Sequence, residues 1–149
     1  MKVLLINPPI RLQTPPYQPP HGMASVGAEL RRDGHEVYML DLNAIRSDQL
    51  AVPKVPFDVV GISGIISTWR HVEGIVPLVR DRYPQAKLVI GGAGFTSAPE
   101  TYMQEFSPDF GVAGEGEVTA VELLRVLQDG GDINSVNGLW HWEDNEPKA

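Results

Sequence analysis

The chain has 149 residues, long enough for one domain with its own core, and its 42% hydrophobic and 21% charged residues fit an ordinary globular composition. Its net charge of −7, with Lys and Arg dispersed, argues against nucleic-acid binding, which needs concentrated positive charge. The absence of cysteine excludes disulfides, zinc–thiolate sites, thiol nucleophiles and any iron–sulfur cluster held by these residues, and no apolar run reaches the ~18 to 20 residues of a membrane span.

The start, "MKVLLINPP", is too short in its apolar part for a signal peptide, so a cytoplasmic protein is expected. Within it "KVLLIN" (Lys2 to Asn7) reads as a buried strand, and the proline-rich "PPIRLQTPPYQPPHG" leaves that strand along an extended path. Met23, Val26, Gly27 and Leu30 recur at i, i+3, i+4 and i+7 and predict a helix, with Gly34 placed to end it. "HEVYMLDL" (His35 to Leu42) is a second strand. Asn43 to Pro56 carries two prolines and a weak helical pattern, which predicts one short helix or irregular chain. "FDVVGISG" (Phe57 to Gly64) is a third strand, followed by a helix on Val72, Ile75, Val76 and Val79 that Pro77 should kink or start late. "AKLVIGG" (Ala86 to Gly92) and "DFGVAG" (Asp109 to Gly114) complete five strands. Ala120, Leu123, Leu124 and Leu127 mark a last helix closed by Gly130, and a short strand around Gly138 to Trp142 leads into polar chain with no closing element.

Near-continuous apolar strands alternating with amphipathic helices predict an α/β fold with both sheet faces covered. Five such strands favour a flavodoxin-like (Rossmann-like), doubly wound parallel sheet of order 2-1-3-4-5, with a short C-terminal strand as an extension. Ligands in such sheets bind at the carboxyl ends of the strands, where the strand order switches. The loops there are unusual: "NPPI", "SGIIST", "GGAGFTSAPE" and "GEGEVT" are small, glycine-bearing or polar, whereas "RDGH" and "RYPQAK" at the other edge are charged turns. This asymmetry points to a pocket at the carboxyl edge. The glycines of "VIGGAGFTSAPE" fit either a tight turn or a floor against which a ligand packs.

Several site types fail on inspection. No GxGxxG follows the first strand, no GxxxxGK[ST] occurs, and no G-x-S-x-G elbow surrounds Ser63 or Ser67. A phospho-acceptor aspartate at the end of strand three is replaced by Ser63.

"KVLLINPP", "PPHGMASVGAELRRDGHEVYMLDL", "DVVGIS", "VIGGAGFTSAPE" and "DFGVAGEGEVTAVELL" together resemble the cobalamin-binding domain that precedes the catalytic barrel of many radical S-adenosylmethionine enzymes, the oxidative cyclases among them. The resemblance covers nearly the whole chain in the family's order. It implies a cofactor slot made by small residues at strand ends: Asn7, Pro8, Ser63, Gly64, Ile65, Gly91, Gly92, Ala93, Gly114, Glu115, Gly116 and Glu117. In that reading Ser63 stands beside the buried dimethylbenzimidazole tail and Gly91 and Gly92 line its path, so Gly92→Leu should fill the slot and abolish cobalamin binding while leaving the fold largely intact. Glu117, in the first turn of a helix, also has a plain role in stabilising the helix dipole.

The chain departs from the methionine-synthase type, whose DxHxxG histidine ligates cobalt: the corresponding loop is "NPPIRL". No metal ligand is therefore assigned, His21 and His71 being read as solvated or capping, and cobalamin is expected base-off. Trp69 and Phe95 suit either a flat macrocycle or the core. The resemblance further implies residues 1–130 as the cofactor-binding unit and 131–149 as an extension toward a radical S-adenosylmethionine barrel, present in cis or trans, which would carry the iron–sulfur cluster and S-adenosylmethionine. These residues alone are not expected to catalyse that chemistry. The rival expectation is a degenerate docking or scaffold domain using an apolar patch of Trp69, Phe95 and Trp140. A flavin or other small-molecule site is disfavoured because strand one lacks a Ser/Thr-rich phosphate loop.

Overall fold

A computed structural model describes residues 1–10, 19–43 and 52–149, and all five expected parallel strands lie within them. They are β1 (Lys2–Asn7), β2 (Glu36–Asp41), β3 (Val59–Ser63), β4 (Lys87–Gly91) and β5 (Phe110–Val112), in the order 2-1-3-4-5. β1 pairs with β2 on one side (Val3 opposite Val37) and β3 on the other (Val3 opposite Val59), which puts the switch point between β1 and β3. Most of the proline-rich segment after β1 and of the connection from β2 to β3 falls in residues 11–18 and 44–51, outside the described residues.

The carboxyl-terminal residues correct one expectation. Beyond β5 the sheet continues through two antiparallel strands, β6 (Leu139–Glu143) and β7 (Glu146–Lys148), so the polar tail does close. Asp144 and Asn145 both take positive φ, 51° and 64°. Two such residues make the tight turn whose twist matches a hairpin, and Asx side chains tolerate it best.

Among the described residues five helices cover the sheet: α1 (His21–Arg32), α2 (Trp69–Arg82), α3 (Ala93–Ser97), α4 (Pro99–Phe106) and α5 (Gly116–Asp129). The apolar spacing reads correctly, because Val72, Ile75, Val76 and Val79 are all buried in α2 and Leu123 and Leu124 in α5. Pro77 does not delay α2, which starts eight residues before it; Pro77 lies on the solvent face, where water can satisfy the carbonyl it leaves free. Gly34 and Gly130 take positive φ (90° and 73°) just after their helices, as the expected endings require.

Alternate residues of each strand face opposite sides of the sheet, and this separates two cores. Leu4, Ile6, Val60, Ile62, Leu88 and Ile90 pack under α2, α3 and α4 with Phe95, Tyr102, Met103 and Phe106. Val3, Leu5, Val59, Val89 and Val112 pack under α1 and α5 with Met23, Leu30, Leu123 and Leu124. Each fully buried aliphatic side chain contributes about 1.5–3 kcal/mol relative to exposure.

Polar contacts pin the amino edge. Asp109 accepts from Arg80 (2.8 Å), Lys87 (3.3 Å) and the Leu88 N–H (2.9 Å). Burial pushes its carboxyl up, and these donors outweigh that and hold it below the usual range. Asp33, at the end of α1, accepts from Arg125 of α5, with Nε at 3.1 Å from both carboxylate oxygens. The two helices of the second core are thereby tied at their deep end.

Candidate ligand-binding cavity

The two cores differ in filling. A cavity of about 500 Å³ lies between the sheet and helices α1 and α5. It runs from Gly114 to Glu117, Gly92 and Gly22 at the carboxyl edge down to Val3, Val59 and Leu30 near the opposite edge. Ligand pockets for drug-sized molecules typically enclose about 300–1,000 Å³ and are mostly apolar, and this one falls in that class.

The cavity exists because glycine occupies strand positions whose neighbours carry side chains. Gly61, in the middle of β3, points at it; a Cβ there would lie 2.9 Å from Leu5 Cδ2. Gly91, at the end of β4, would place a Cβ 3.3 Å from the Val112 carbonyl oxygen. Gly92 has φ of +92°, and its Cβ would stand 2.8 Å from the Gly64 carbonyl oxygen. Glycine is therefore required at 92 by the turn itself. This corrects the expectation that Gly92→Leu leaves the fold largely intact: a leucine would clash with backbone in a conformation that L-residues rarely adopt.

The polar side chains of the lining gather at its mouth: Ser63, Thr96, Ser97, Glu115 and Glu117. Two are committed within the chain. Thr96 Oγ1 donates to the Gly92 carbonyl (3.1 Å) and accepts from the Gly114 N–H (2.9 Å), and Ser97 Oγ donates to the Gly94 carbonyl (2.8 Å). The Ser63 hydroxyl forms no hydrogen bond among the described residues, so it is left as the neutral polar group facing the cavity. Both helices start at this mouth without a side-chain cap, α1 after Pro20 and α5 after Glu115, and Glu117 lies in the first turn of α5.

Of the residues expected to form a site, the fold brings Ser63, Gly91, Gly92, Ala93, Gly114, Glu115, Gly116 and Glu117 together around the cavity. Four others lie elsewhere. Asn7 Nδ2 donates to Asp41 Oδ1 at 3.0 Å, Pro8 is buried beside it in sequence, and Gly64 packs against Tyr102 and Val72. Ile65 begins the short turn before α2, with its N–H donating to Thr68 Oγ1. Sequence reasoning missed the deep wall, namely Val3, Leu5, Gly61, Leu30 and Leu124. One signal was available, since a glycine inside an apolar strand marks a close approach or a vacancy.

The aromatic residues do not form a surface patch. Phe95 is fully buried, and Trp69 and Trp140 pack against the filled core, with Trp69 4.8 Å from Tyr102 and Phe95 6.5 Å from Trp140 between ring centroids. The Tyr102 hydroxyl is buried without a partner among the described residues, and burial pushes its pKa up. His21 is exposed at the start of α1 and His71 lies in the first turn of α2; neither lines the cavity. Among the described residues no group of three or more His, Asp or Glu is placed to hold a metal ion, and no helix is long and apolar enough to cross a membrane.

The chain is 33% identical to the anaerobic magnesium-protoporphyrin IX monomethyl ester cyclase of Synechocystis, over 93% of this chain and 30% of that protein. It is 31% identical to an uncharacterised methyltransferase of Pyrococcus horikoshii, over 99% of this chain and 35% of the relative. The chain thus spans about a third of the length of these relatives. In structure it is similar to the radical S-adenosylmethionine methyltransferase TsrM of Kitasatospora setae, solved with cobalamin and a 4Fe–4S cluster bound. The TM-score is 0.83 at 24% identity, covering 98% of this chain and 28% of that one, a likeness of fold. A family model for the B12 binding domain matches residues 9–124, from the loop after β1 to the buried Leu124 of α5. With the carboxyl-edge cavity and the glycines that open it, that match places the chain in the B12 binding domain family.

Proposed function

We propose that the chain holds cobalamin, with the nucleotide tail inserted in the cavity beneath α1 and α5 and the corrin at the carboxyl edge. The observation that carries this reading is the cavity itself, which Gly61 and Gly91 keep open in strands that are otherwise densely packed. The residues present fit a tail of this kind. An apolar wall suits the carbocyclic part of dimethylbenzimidazole, and the Ser63 hydroxyl at the mouth can bond its one free ring nitrogen. Ser63, Gly91, Gly92 and Ala93 form one side of the slot and Gly114 to Glu117 the other.

Cobalamin held with its tail in the cavity would be base-off, and the loop "NPPIRL" carries no histidine. Bound cobalamin supplies the cobalt-centred reactivity, and the protein supplies orientation and shelter from water. The names of the relatives and the third of their length that this chain spans support a catalytic partner, a radical S-adenosylmethionine domain in cis or trans that carries the iron–sulfur cluster and S-adenosylmethionine. Residues 1–130 then form the cofactor-binding unit, and 131–149 extend the sheet toward that partner, in the cytoplasm.

The test is a titration of the purified chain with hydroxocobalamin, followed by visible absorption and calorimetry. Saturable binding with a base-off spectrum is expected. No binding by a chain shown to be folded would overturn the proposal and favour a docking domain.

A further inference from the structure

Resting on the proposal that the tail enters this cavity, we infer that the chain selects among corrinoids by their lower base, and that the deep wall does the selecting. The side chains of that wall are Val3, Leu5, Leu30, Val59, Val89, Val112, Leu123 and Leu124, all hydrocarbon. Its backbone is equally closed to a ligand. Val3, Val59, Val89 and Val112 sit in paired strands, and Leu30, Leu123 and Leu124 in helices. A polar atom carried past the mouth therefore finds neither donor nor acceptor.

The bases that corrinoids carry differ in this respect. Dimethylbenzimidazole and adenine share an imidazole ring with one free nitrogen, which Ser63 can meet at the mouth. On the far ring, dimethylbenzimidazole has only carbon and two methyl groups, whereas adenine has two ring nitrogens and an exocyclic amine. Those groups are fully hydrated in water and would be buried here without partners, which weakens binding by at least about tenfold. The ligand class is thus a cobamide whose lower base is hydrocarbon on its far ring, and Val3, Leu5, Val59 and Leu124 are its specificity-determining residues. Ser63 acts on both bases alike and carries no discrimination.

The experiment compares three ligands on the full chain by calorimetry: cobalamin, the cobamide that differs only in an adenine base, and cobinamide, which has no nucleotide tail. The expected order is cobalamin tightest, the adenine cobamide at least about tenfold weaker, and cobinamide weakest or level with it. Equal affinities for cobalamin and the adenine cobamide, both above cobinamide, would overturn the inference and leave the tail reading standing. Cobalamin binding no tighter than cobinamide would overturn the tail reading itself. Two variants locate the effect. Val59→Thr, which adds a hydroxyl to the deep wall with little change of shape, should narrow the ratio by about threefold or more. Ser63→Ala should weaken both cobamides while keeping their ratio. An unchanged ratio in folded Val59→Thr, or a changed one in Ser63→Ala, would overturn the assignment to the deep wall.

Discussion

One sheet presents two faces built from the same kinds of residue, and only one of them is full. On the face under α2, α3 and α4, Gly111 of β5 is covered by Phe95, whose ring carbon Cζ would lie 1.9 Å from any Cβ at that position. On the face under α1 and α5, Gly61 and Gly91 are covered by nothing comparable, and the cavity lies over them. A glycine in a strand thus has two opposite uses. It admits a bulky side chain from across the core, or it leaves room for a molecule that is not part of the chain. Phe95 accounts for the difference, since α3 and α4 deliver it with Tyr102 and Phe106 as an aromatic layer in which Tyr102 and Phe106 lie 5.3 Å apart. The helices of the other face offer Met23, Val26, Ala120 and Leu123, which are narrower and do not reach the sheet between Gly61 and Gly91.

The largest test of this contrast is Phe95→Ala. It opens on the full face the kind of space that the other face has by design, and it should cost about 3–5 kcal/mol in urea unfolding. A loss below about 1 kcal/mol would mean that the aromatic layer is as loosely filled as its counterpart. The converse change is Gly61→Val. Its Cβ meets only the end of the Leu5 side chain, which can swing into free space, so stability should stay within about 1 kcal/mol while cobalamin affinity falls by about tenfold or more. Retained affinity in that folded variant would place the ligand elsewhere.

Tyr102→Phe sharpens the comparison within the full face. The hydroxyl is buried and unpartnered, so its removal should change thermal stability by no more than about 1 kcal/mol, in the stabilising direction. A clear loss would show that water bonds it.

The smallest effect belongs to the turn between α1 and β2, at His35, which does not line the cavity. Its Nδ1 lies 3.2 Å from the Met1 ammonium and its Nε2 3.4 Å from Asp33, which Arg125 also holds. Burial and then the Met1 ammonium push its pKa below 6.5, Asp33 opposes them, and Arg125 adds a little more depression. The unfolded chain therefore takes up this proton first as pH falls. Stability from His35 is complete above about pH 6.5, declines toward the folded pKa and is flat below it. Wild type should lose slightly more stability than His35→Gln between neutral pH and about pH 5, measured by thermal unfolding. A parallel pair of curves would remove His35 from the account.

Much of this was legible in the chain alone. The runs "KVLLIN", "FDVVGISG" and "AKLVIGG" and the helical spacing of Val72 to Val79 specify strands and helices through periodicity, a local property. Strand order followed from the count of five strands in a doubly wound sheet with right-handed crossovers. Three elements were not legible: α3, β7 and α4 (Pro99–Phe106), whose run "PETYMQEF" is not among the expected helices. "AGFTS" has a glycine in a five-residue helix, weak by propensity, and α3 forms because Gly94 donates to the Gly64 carbonyl and Phe95 is drawn under Gly111. "EDNEPK" is polar throughout, and β7 forms because β6 offers it an edge.

The candidate site divides in the same way. Ser63, Gly91, Gly92 and the "GEGE" turn announced themselves through residue type at strand ends, where the fold gathers them. The deep wall did not, because Val3 and Leu4, or Val59 and Val60, are interchangeable as letters, and which of each pair meets a cavity is set by the helices on the other side. The alternation of strands and helices and the chemistry of the carboxyl edge can be read from the chain because each depends on residues close together in it, whereas the parallel order, which pairs Val3 with Val59, was read from the five-strand pattern. Which face of the sheet stays open was settled by packing alone, because a void is a property of what fails to meet across a core, and no stretch of the chain records it.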